Sequence, residues 1–201
     1  MDAAPRTRDA PRTRRAVLDA AAAAVAEYGT GISLARVAEL AGISKSGLLH
    51  HFGSREQLLV ALVEDANERF RQIVREHVVE SEPEPGRLLR AYVRALCGGS
   101  EEAARYFDTA PSWNGLFVIP GVAPIIEADS AWWAQQFALD GLDERRVQVV
   151  RRAAEGIAAA WCFGEESDDD VVAGGHALLA LAVDAGPIAP AQTASSTIAV
   201  P

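Results

Sequence analysis

"SLARVAELAGISKSGLLHHF", residues 33–52, is the stretch that decides how the chain folds. Apolar residues recur at spacings of three and four on both sides of Gly42, which predicts two short helices joined by a turn of about three residues. Ser33 stands where the N-cap of the first of these helices is expected, and the second begins near Ser44. Ala38 leaves room where the helices cross, and glycine tolerates a positive φ in the turn. The pattern is that of a helix-turn-helix.

The segments on either side of this stretch are also predicted to be helical. A helix is expected from about Arg12 to Tyr28, with Gly29 ending it. Its predicted inward residues are Val17, Leu18, Ala21, Ala24 and Val25. After Phe52, Ser54 and Gln57 have the spacing of a capping box, and they introduce one long helix of about six turns.

The second half of the chain continues this pattern after a clear break at "SEPEPG", residues 81–86. The stretch 109–129 contains three prolines and is predicted to be the least regular part. Further helices are expected at residues 87–97, near residues 101–107, from Ser130 to Gly141, from Asp143 onward, and from the acidic run at residues 168–170, which forms the first turn of the last helix. No segment alternates as a strand does, so the chain is predicted to be all-α.

Composition limits the possible functions of the chain. With 201 residues, 49% of them hydrophobic, it can bury a sizeable core. No apolar run reaches 18 residues and the first residues are charged, so we expect a cytoplasmic protein without a membrane span. Cys97 and Cys162 lie 65 positions apart, which favours two buried thiols over a disulfide framework or a metal motif.

Charge is distributed unevenly along the chain. Residues 1–55 contain eight Lys/Arg and five Asp/Glu, whereas residues 56–201 contain eleven and twenty-three. The net charge of −9 therefore conceals a basic N-terminal quarter, which is typical of a small nucleic-acid module attached to an acidic body. Lys45 is the single lysine among eighteen arginines, and it lies at the start of the second helix of the motif.

The sequence contains little that supports an enzymatic function. Residues 42–47 read G-x-S-x-x-G, which is not the nucleophile elbow, and no strand precedes them. No phosphate-binding G-K-[ST] loop and no His/carboxylate cluster with catalytic spacing occurs. The adjacent His50 and His51 point about 100° apart on a helix and have no third ligand nearby, so no metal or other cofactor is expected.

"RRAVLDAAAAAVAEYG" at residues 14–29, followed by residues 33–52 and "FGSREQLLVAL" at 52–62, resembles the DNA-binding region of TetR/AcrR-type transcriptional regulators. This resemblance covers roughly residues 12–62. It implies three N-terminal helices that bind DNA and a C-terminal helical domain that binds a small molecule and dimerises. It also implies a regulator, more often a repressor, that releases its palindromic operator when the ligand binds.

The resemblance assigns DNA contacts residue by residue. Ser33, Lys45, His50 and Arg55 match positions that touch phosphates, and the start of the second helix enters the major groove. The expected DNA-binding set is Ser33, Ser44, Lys45, Ser46, Gly47, His50, His51 and Arg55. At Gly47, Leu49 and His51 the chain departs from the family, which commonly has Thr at the first of these positions and Tyr at the other two.

An aromatic-rich body interrupted by prolines is where an apolar effector pocket is expected. The candidate ligand residues are Tyr92, Phe107, Trp113, Asn114, Phe117, Trp132, Trp133, Gln136, Phe137 and Trp161. The last two helices, about 143–184, resemble a dimer interface of the family, and a two-fold dimer suits a helix-turn-helix that reads two half-sites.

These interpretations divide the chain into four parts. The expected ranges are a flexible basic arm at 1–11, a DNA-binding domain at 12–54, a ligand-binding and dimerisation domain at 55–184 and a disordered tail at 185–201. The N-terminal arginines either reach DNA phosphates or the minor groove, or only increase solubility: Arg6, Arg8, Arg12, Arg14 and Arg15. An alternative function is a protein-interaction adaptor that keeps the fold but binds no specific operator.

Overall fold

A computed structural model describes residues 10–98, 115–183 and 186. Within these ranges the chain forms eight α-helices and one short 3₁₀ turn, with no strand, which confirms the all-α prediction. The helices are α1 (Ala10–Tyr28), α2 (Leu34–Leu40), α3 (Lys45–Phe52), α4 (Arg55–Glu76), α5 (Arg87–Cys97), α6 (Ala123–Leu139), α7 (Glu144–Cys162) and α8 (Asp168–Leu181).

The first three helices and the start of α4 enclose an aliphatic core. The five residues predicted to face inward from α1 are all buried, at 0–1% exposure. Leu48 and Phe52 fix α3 against this core, and Val37 and Ala38 fix α2. Nearly all of these side chains are Ala, Val or Leu, so the helices approach closely.

The turn of the helix-turn-helix has a defined hydrogen-bond pattern. Gly42 has φ +67°, a conformation that disfavours side chains with a Cβ. Its N–H donates to the Glu39 carbonyl (3.1 Å), and the N–H of Ile43 donates to the Ala38 carbonyl (3.0 Å). These two bonds are a Schellman motif, which ends α2 and directs the chain into α3.

Helix α4 extends from this core into a second one. Its first half contributes Leu58, Leu59 and Leu62 to the aliphatic core, and its second half contributes Phe70 and Val74 to the other. The helix has 22 residues, a length of about 33 Å. This confirms the prediction of one long helix that spans both parts of the molecule.

The second core is built by α5, α6, α7 and α8 with the end of α4. Helix α5 lies at its centre, with eight of its eleven residues buried. Two arginines, Arg90 and Arg146, are also buried here, at 3% and 5% exposure. Arg90 donates to the carbonyls of Pro85 (3.2 Å) and Ala182 (2.9 Å), and to Glu82 (3.0 Å). It thereby joins the loop before α5 to the end of α8.

Helix α6 corrects one prediction. It begins at Ala123, seven residues before the predicted start at Ser130, although Pro124 lies inside it. Proline is tolerated in the first turn of a helix because the N–H groups there have no intrahelical acceptor. Five apolar residues of the segment 116–126 pack on the aliphatic core, with Leu116 and Val122 almost fully buried and Ile119, Ile125 and Ile126 partly buried.

A second correction concerns the start of α4. Ser54 accepts a hydrogen bond from the Gln57 N–H (3.1 Å), which is half of the predicted capping box. The other half is replaced, because the Ser54 N–H donates to the Phe52 carbonyl (2.7 Å). A complete capping box forms instead at α8, between Ser167 and Asp170.

Some predictions fall on residues beyond the described ranges. They concern most of the basic arm, a further helix near residues 101–107 and nearly all of the expected tail. No helix among residues 10–98 and 115–183 is long and apolar enough to cross a membrane.

Candidate nucleic-acid interface and effector site

A serine caps the exposed N-terminus of α3. The Ser44 hydroxyl accepts a hydrogen bond from the Gly47 N–H (3.0 Å) and lies 3.1 Å from the Ser46 hydroxyl. All three residues from Ser44 to Ser46 are exposed, whereas Leu48, one residue after Gly47, is fully buried. The helix therefore turns short polar side chains and one cation outward from a firmly packed base.

The local structure explains why position 47 holds a glycine. A Cβ at this position would lie 3.2 Å from the Ser44 hydroxyl oxygen, which is closer than most such contacts. A larger side chain would press on the cap. The glycine that departs from the family pattern is thus compatible with a tight serine-capped start of α3.

Lys45 differs from Arg15 and Arg36, which pair with acids. Arg36 pairs with Glu39 (3.0 Å), and Arg15 donates to Asp65 (2.7 Å). Lys45 is exposed, and within the described part of the chain no carboxylate lies within 4 Å of its ammonium group. An unneutralised surface cation retains its full attraction for a phosphate.

The two histidines of α3 occupy different environments. His50 is exposed, while His51 is half-buried, with its ring centroid 6.4 Å from that of Phe52. The two imidazoles meet edge to face at 5.9 Å. His50 is therefore free to meet a ligand outside the helix, and His51 also contributes to packing. No group of three metal-binding side chains occurs in the part of the chain that the structure covers.

Ser33 and Arg55 lie beside each other near the starts of α2 and α4. The Ser33 hydroxyl accepts from the Arg36 N–H (3.2 Å), as the predicted cap requires. Arg55 donates its Nε–H to the Ile32 carbonyl (2.8 Å), a contact between segments 23 residues apart that sequence reasoning missed. The rest of its exposed guanidinium remains at the surface next to Ser33.

A network of four charged residues fixes α1 to α4, the helices on which α3 is supported. Asp65 accepts hydrogen bonds from Arg15 (2.7 Å) and Arg69 (2.8 Å), and Arg69 also pairs with Asp19. Burial alone would raise the pKa of the Asp65 carboxyl, but the two guanidinium groups outweigh it and lower that pKa. The same contacts raise the pKa of Arg15.

The predicted ligand residues that the structure describes lie in several environments. Tyr92, Trp133 and Phe137 pack against one another, with ring centroids 5.0–5.5 Å apart. The Tyr92 hydroxyl donates to Glu155 (2.9 Å), and burial, followed by the charge of Glu155, raises the pKa of Tyr92. Trp132 lies under the Arg71 guanidinium, with 4.1 Å from its carbon to the ring centroid.

The other predicted ligand residues are more dispersed. Trp161 donates its indole N–H to Asp168 (2.7 Å), Gln136 is half-buried, and Phe117 is 57% exposed. Phe107, Trp113 and Asn114 lie outside the described residues. The structure thus brings Tyr92, Trp132, Trp133 and Phe137 together and places Phe117 and Trp161 elsewhere.

A groove of about 740 Å³ lies between α6 and α7. Phe137 is the predicted ligand residue that lines it, among those the structure describes. The other lining residues are Ser130, Ala134, Ala138, Leu142, Glu144, Val147, Gln148, Arg151 and Arg152. Its volume lies within the range of small-molecule sites. Sequence reasoning missed the groove because its walls come from two helices whose relative position no local pattern reveals.

Helices α7 and α8 expose several apolar side chains. Large hydrophobic side chains that are 36–62% exposed lie along and just beyond them: Val149, Phe163, Val172, Leu181 and Val183. Small residues such as Ala159 and Ala177 are also exposed on these helices. Exposed apolar side chains in such number are typical of a surface that another protein covers.

Comparisons with known proteins agree with this geometry. Residues 17–62 match the family described as bacterial regulatory proteins, tetR family. Over 54 residues, 26% of this chain, the sequence is 39% identical to the HTH-type transcriptional regulator BetI of Rhizobium meliloti (strain 1021). That match spans 27% of the length of the curated relative.

Solved structures resemble this chain in fold over most of its length. A TetR-family transcriptional regulator from Rhodococcus sp. matches with a TM-score of 0.69 at 21% identity, covering 86% of this chain and 100% of its own. The multidrug binding protein EbrR, complexed with imidazole, matches with a TM-score of 0.62 at 23% identity, covering 89% and 97%. At these identities the likeness concerns the fold alone.

Proposed function

We propose that the chain is a member of the tetR family of bacterial regulatory proteins, whose model residues 17–62 match, and that it is a ligand-responsive transcriptional repressor that binds a palindromic operator as a homodimer. The proposal rests chiefly on one observation. The N-terminus of α3 carries Ser44, Lys45 and Ser46 on an open surface, on a helix-turn-helix whose base is closed by Leu48 and Phe52.

In the proposed complex, α3 lies in the major groove and the surrounding groups hold the DNA backbone. Lys45 supplies an unpaired cation for a phosphate, and the hydroxyls of Ser44 and Ser46 are short enough to let the helix approach base edges. We assign the full predicted set, Ser33, Ser44, Lys45, Ser46, Gly47, His50, His51 and Arg55, to this surface.

The proposed dimer forms through α7 and α8. Its support is the set of exposed apolar side chains described above, among which small residues permit close helix packing. A two-fold dimer would present two α3 helices to two half-sites about one helical turn, or a multiple of it, apart. Sedimentation equilibrium at micromolar concentration should give twice the mass of the chain.

Effector binding is proposed to act through two helices that join the cores. Helix α4 contributes to both, and α6 also does, with Ile125 and Ile126 packed on the aliphatic core and Trp133 and Phe137 in the second core. Arg71 of α4 binds Asp129 of α6 (3.0 Å), so the two helices are tied together. A ligand that shifts them would change the spacing of the recognition helices, at a coupling free energy of about 1–3 kcal/mol.

The proposed division into domains follows from the roles proposed for the helices. We assign residues 12–54 to DNA binding and 55–184 to effector binding and dimerisation, with an arm before and a tail after them. A regulator of this kind acts on chromosomal DNA, so the proposed location is the cytoplasm. No catalytic role is proposed.

Fluorescence anisotropy with the intergenic DNA that flanks the gene tests the proposal. Labelled duplexes that tile this region should include one bound at least about a thousandfold more tightly than a scrambled duplex of the same composition. Binding should weaken steeply with salt, because phosphate contacts release counterions. Equal and weak affinity for every duplex at low salt would contradict operator binding and favour the adaptor alternative.

A further inference from the structure

We infer that the groove between α6 and α7 is a binding site for an organic anion with an apolar body, such as a medium-chain or aromatic carboxylate. The inference rests on the proposed function in one respect, because it identifies the effector site of that regulator. The location is not the one that the aromatic residues of the sequence suggested. Tyr92, Trp133 and Phe137 fill the space between them with their own rings, and the open volume lies on the outer side of Phe137.

The apolar part of the groove suits the body of such a ligand. Ala134, Phe137 and Ala138 of α6 face Val147 of α7 across it, and Leu142 of the connecting turn also lines it. A volume of about 740 Å³ accommodates a molecule of ten to twenty heavy atoms with room for water. Burial of the ligand's apolar surface against these side chains supplies its affinity.

The charge in the groove selects an anion. Arg151 and Arg152 line it, and the Arg151 side chain is only 18% exposed. Its guanidinium lies 5.9 Å from the Tyr92 ring centroid and 5.8 Å from that of Phe137, so it is held at the apolar wall. One of its five N–H groups binds Glu155 (2.8 Å), and the planar guanidinium has others with which to meet a carboxylate.

The acids near the groove do not reverse this preference. Glu155 already accepts from Tyr92 (2.9 Å), Arg151 (2.8 Å) and Arg152 (2.8 Å), so its charge is shared among three donors. Glu144 also lines the groove, but it lies seven residues before Arg151, about 10 Å along α7. The groove thus has a basic end at Arg151 and an acidic end at Glu144, with the apolar wall between them. A cation at the basic end would face two arginines.

Occupation of this groove would act directly on α6. Its lining residues Ser130, Ala134, Phe137 and Ala138 belong to the second half of that helix, whose first turn packs on the aliphatic core behind α3. A ligand that separates α6 from α7 would therefore move a helix that is in contact with both cores.

A matched series of three probes tests the site and its charge preference. Decanoate, decanol and decyltrimethylammonium share one apolar chain and differ in the charge of the head group. Isothermal titration of the full-length protein at millimolar or lower probe should show saturable binding of one decanoate per chain. Decyltrimethylammonium should bind at least about tenfold more weakly, as expected when a charged hydrogen bond is lost. Equal or tighter binding of the cation would overturn the anion preference, and no binding of decanoate would overturn the site.

Substitutions locate the bound probe. Ala134→Trp fills the groove from an exposed position of α6 and should abolish decanoate binding, while Ala131→Trp, also exposed on α6 but outside the lining set, should leave it unchanged. Arg151→Met should weaken decanoate binding by at least about tenfold and leave decanol binding nearly unaltered. Far-ultraviolet circular dichroism of each variant shows whether it is folded. Unchanged decanoate binding by folded Ala134→Trp would overturn the location.

Operator binding is measured separately, so the two proposals can fail independently. If decanoate binds in the groove without altering operator affinity, the groove is an anion-binding site but not the effector site of the regulator. If decanoate fails to bind while the operator is still recognised, the anion site is wrong and the proposed regulator remains.

Discussion

The two cores of the molecule are built from different side chains. The N-terminal core is almost entirely aliphatic, and Arg15 and Arg69 lie at its surface, where each pairs with an acid on the neighbouring helix. The C-terminal core adds a cluster of four aromatic side chains, and it takes two arginines into its interior with their hydrogen bonds satisfied by carbonyls and by Glu82. An aliphatic core of short side chains gives a rigid base from which α3 projects. A core that contains buried polar groups depends on each partner being present.

The largest effect is expected from Arg90→Met in the C-terminal core. Glu82 and three backbone carbonyls lose a buried donor, so the free energy of unfolding should fall by about 3–5 kcal/mol. Arg145→Met, on the exposed side of α7, is the control and should change stability by less than about 0.5 kcal/mol. Urea unfolding measures both variants. A loss for Arg90→Met no larger than that of the control would contradict a structural role for the buried arginine.

In the N-terminal core, Leu48→Ala should reduce stability by about 3 kcal/mol, because it leaves a cavity where α3 packs on α1 and α4. Leu40→Ala, whose side chain is 44% exposed on α2, serves as the matched control and should lose much less. Thermal unfolding followed at 222 nm compares the two. Similar losses at both positions would mean that α3 is not fixed by Leu48.

A glycine pair in α8 measures how closely the C-terminal helices pack. A Cβ at Gly175 would lie 2.7 Å from the Cys97 Cβ and 3.2 Å from its carbonyl oxygen, whereas one at Gly174 would meet only the tip of Ile157, also at 2.7 Å. Gly175→Ala should therefore cost about 1–3 kcal/mol, since a backbone must shift. Gly174→Ala should cost far less because Ile157 can change rotamer. Urea midpoints that move equally would contradict this difference in packing.

The smallest effect concerns the ion network that joins α1 to α4. The pKa of Asp65 is lowered in the folded state, so its contribution is complete above its unfolded pKa of about 4 and is lost as the pH falls below that value. Asp65→Asn should reduce stability by about 1 kcal/mol or less at pH 7 and flatten the decline between about pH 5 and pH 3. Unfolding midpoints measured across this range test the expectation. A decline as steep as that of the wild type would mean that other carboxyls determine it.

The two cores also differ in how well the sequence predicts them. The starts of α2, α3 and α4 and the inward face of α1 follow from local signals, namely serines, glycine stops and apolar spacing, and the structure confirms them within two residues. The start of α6 was missed because Pro124 reads as a breaker unless its place in a first turn is known. The pairing of Arg90 depends on segments far apart in the chain, and the groove at Arg151 depends on how two consecutive helices pack, so no local pattern could reveal either. The predicted DNA contacts remain predictions.

The salt dependence of operator binding by Lys45→Ala tests the central claim most directly. Anisotropy titrations from 50 to 200 mM KCl, or about that range, give the slope of log affinity against log salt concentration. If Lys45 holds a phosphate, the variant should bind more weakly and its slope should be smaller by about one unit, while Arg75→Met, at an exposed position of α4 outside the predicted DNA-binding set, should retain both values. Wild-type affinity and slope in the Lys45→Ala variant would contradict the assignment of α3 as the DNA-reading helix.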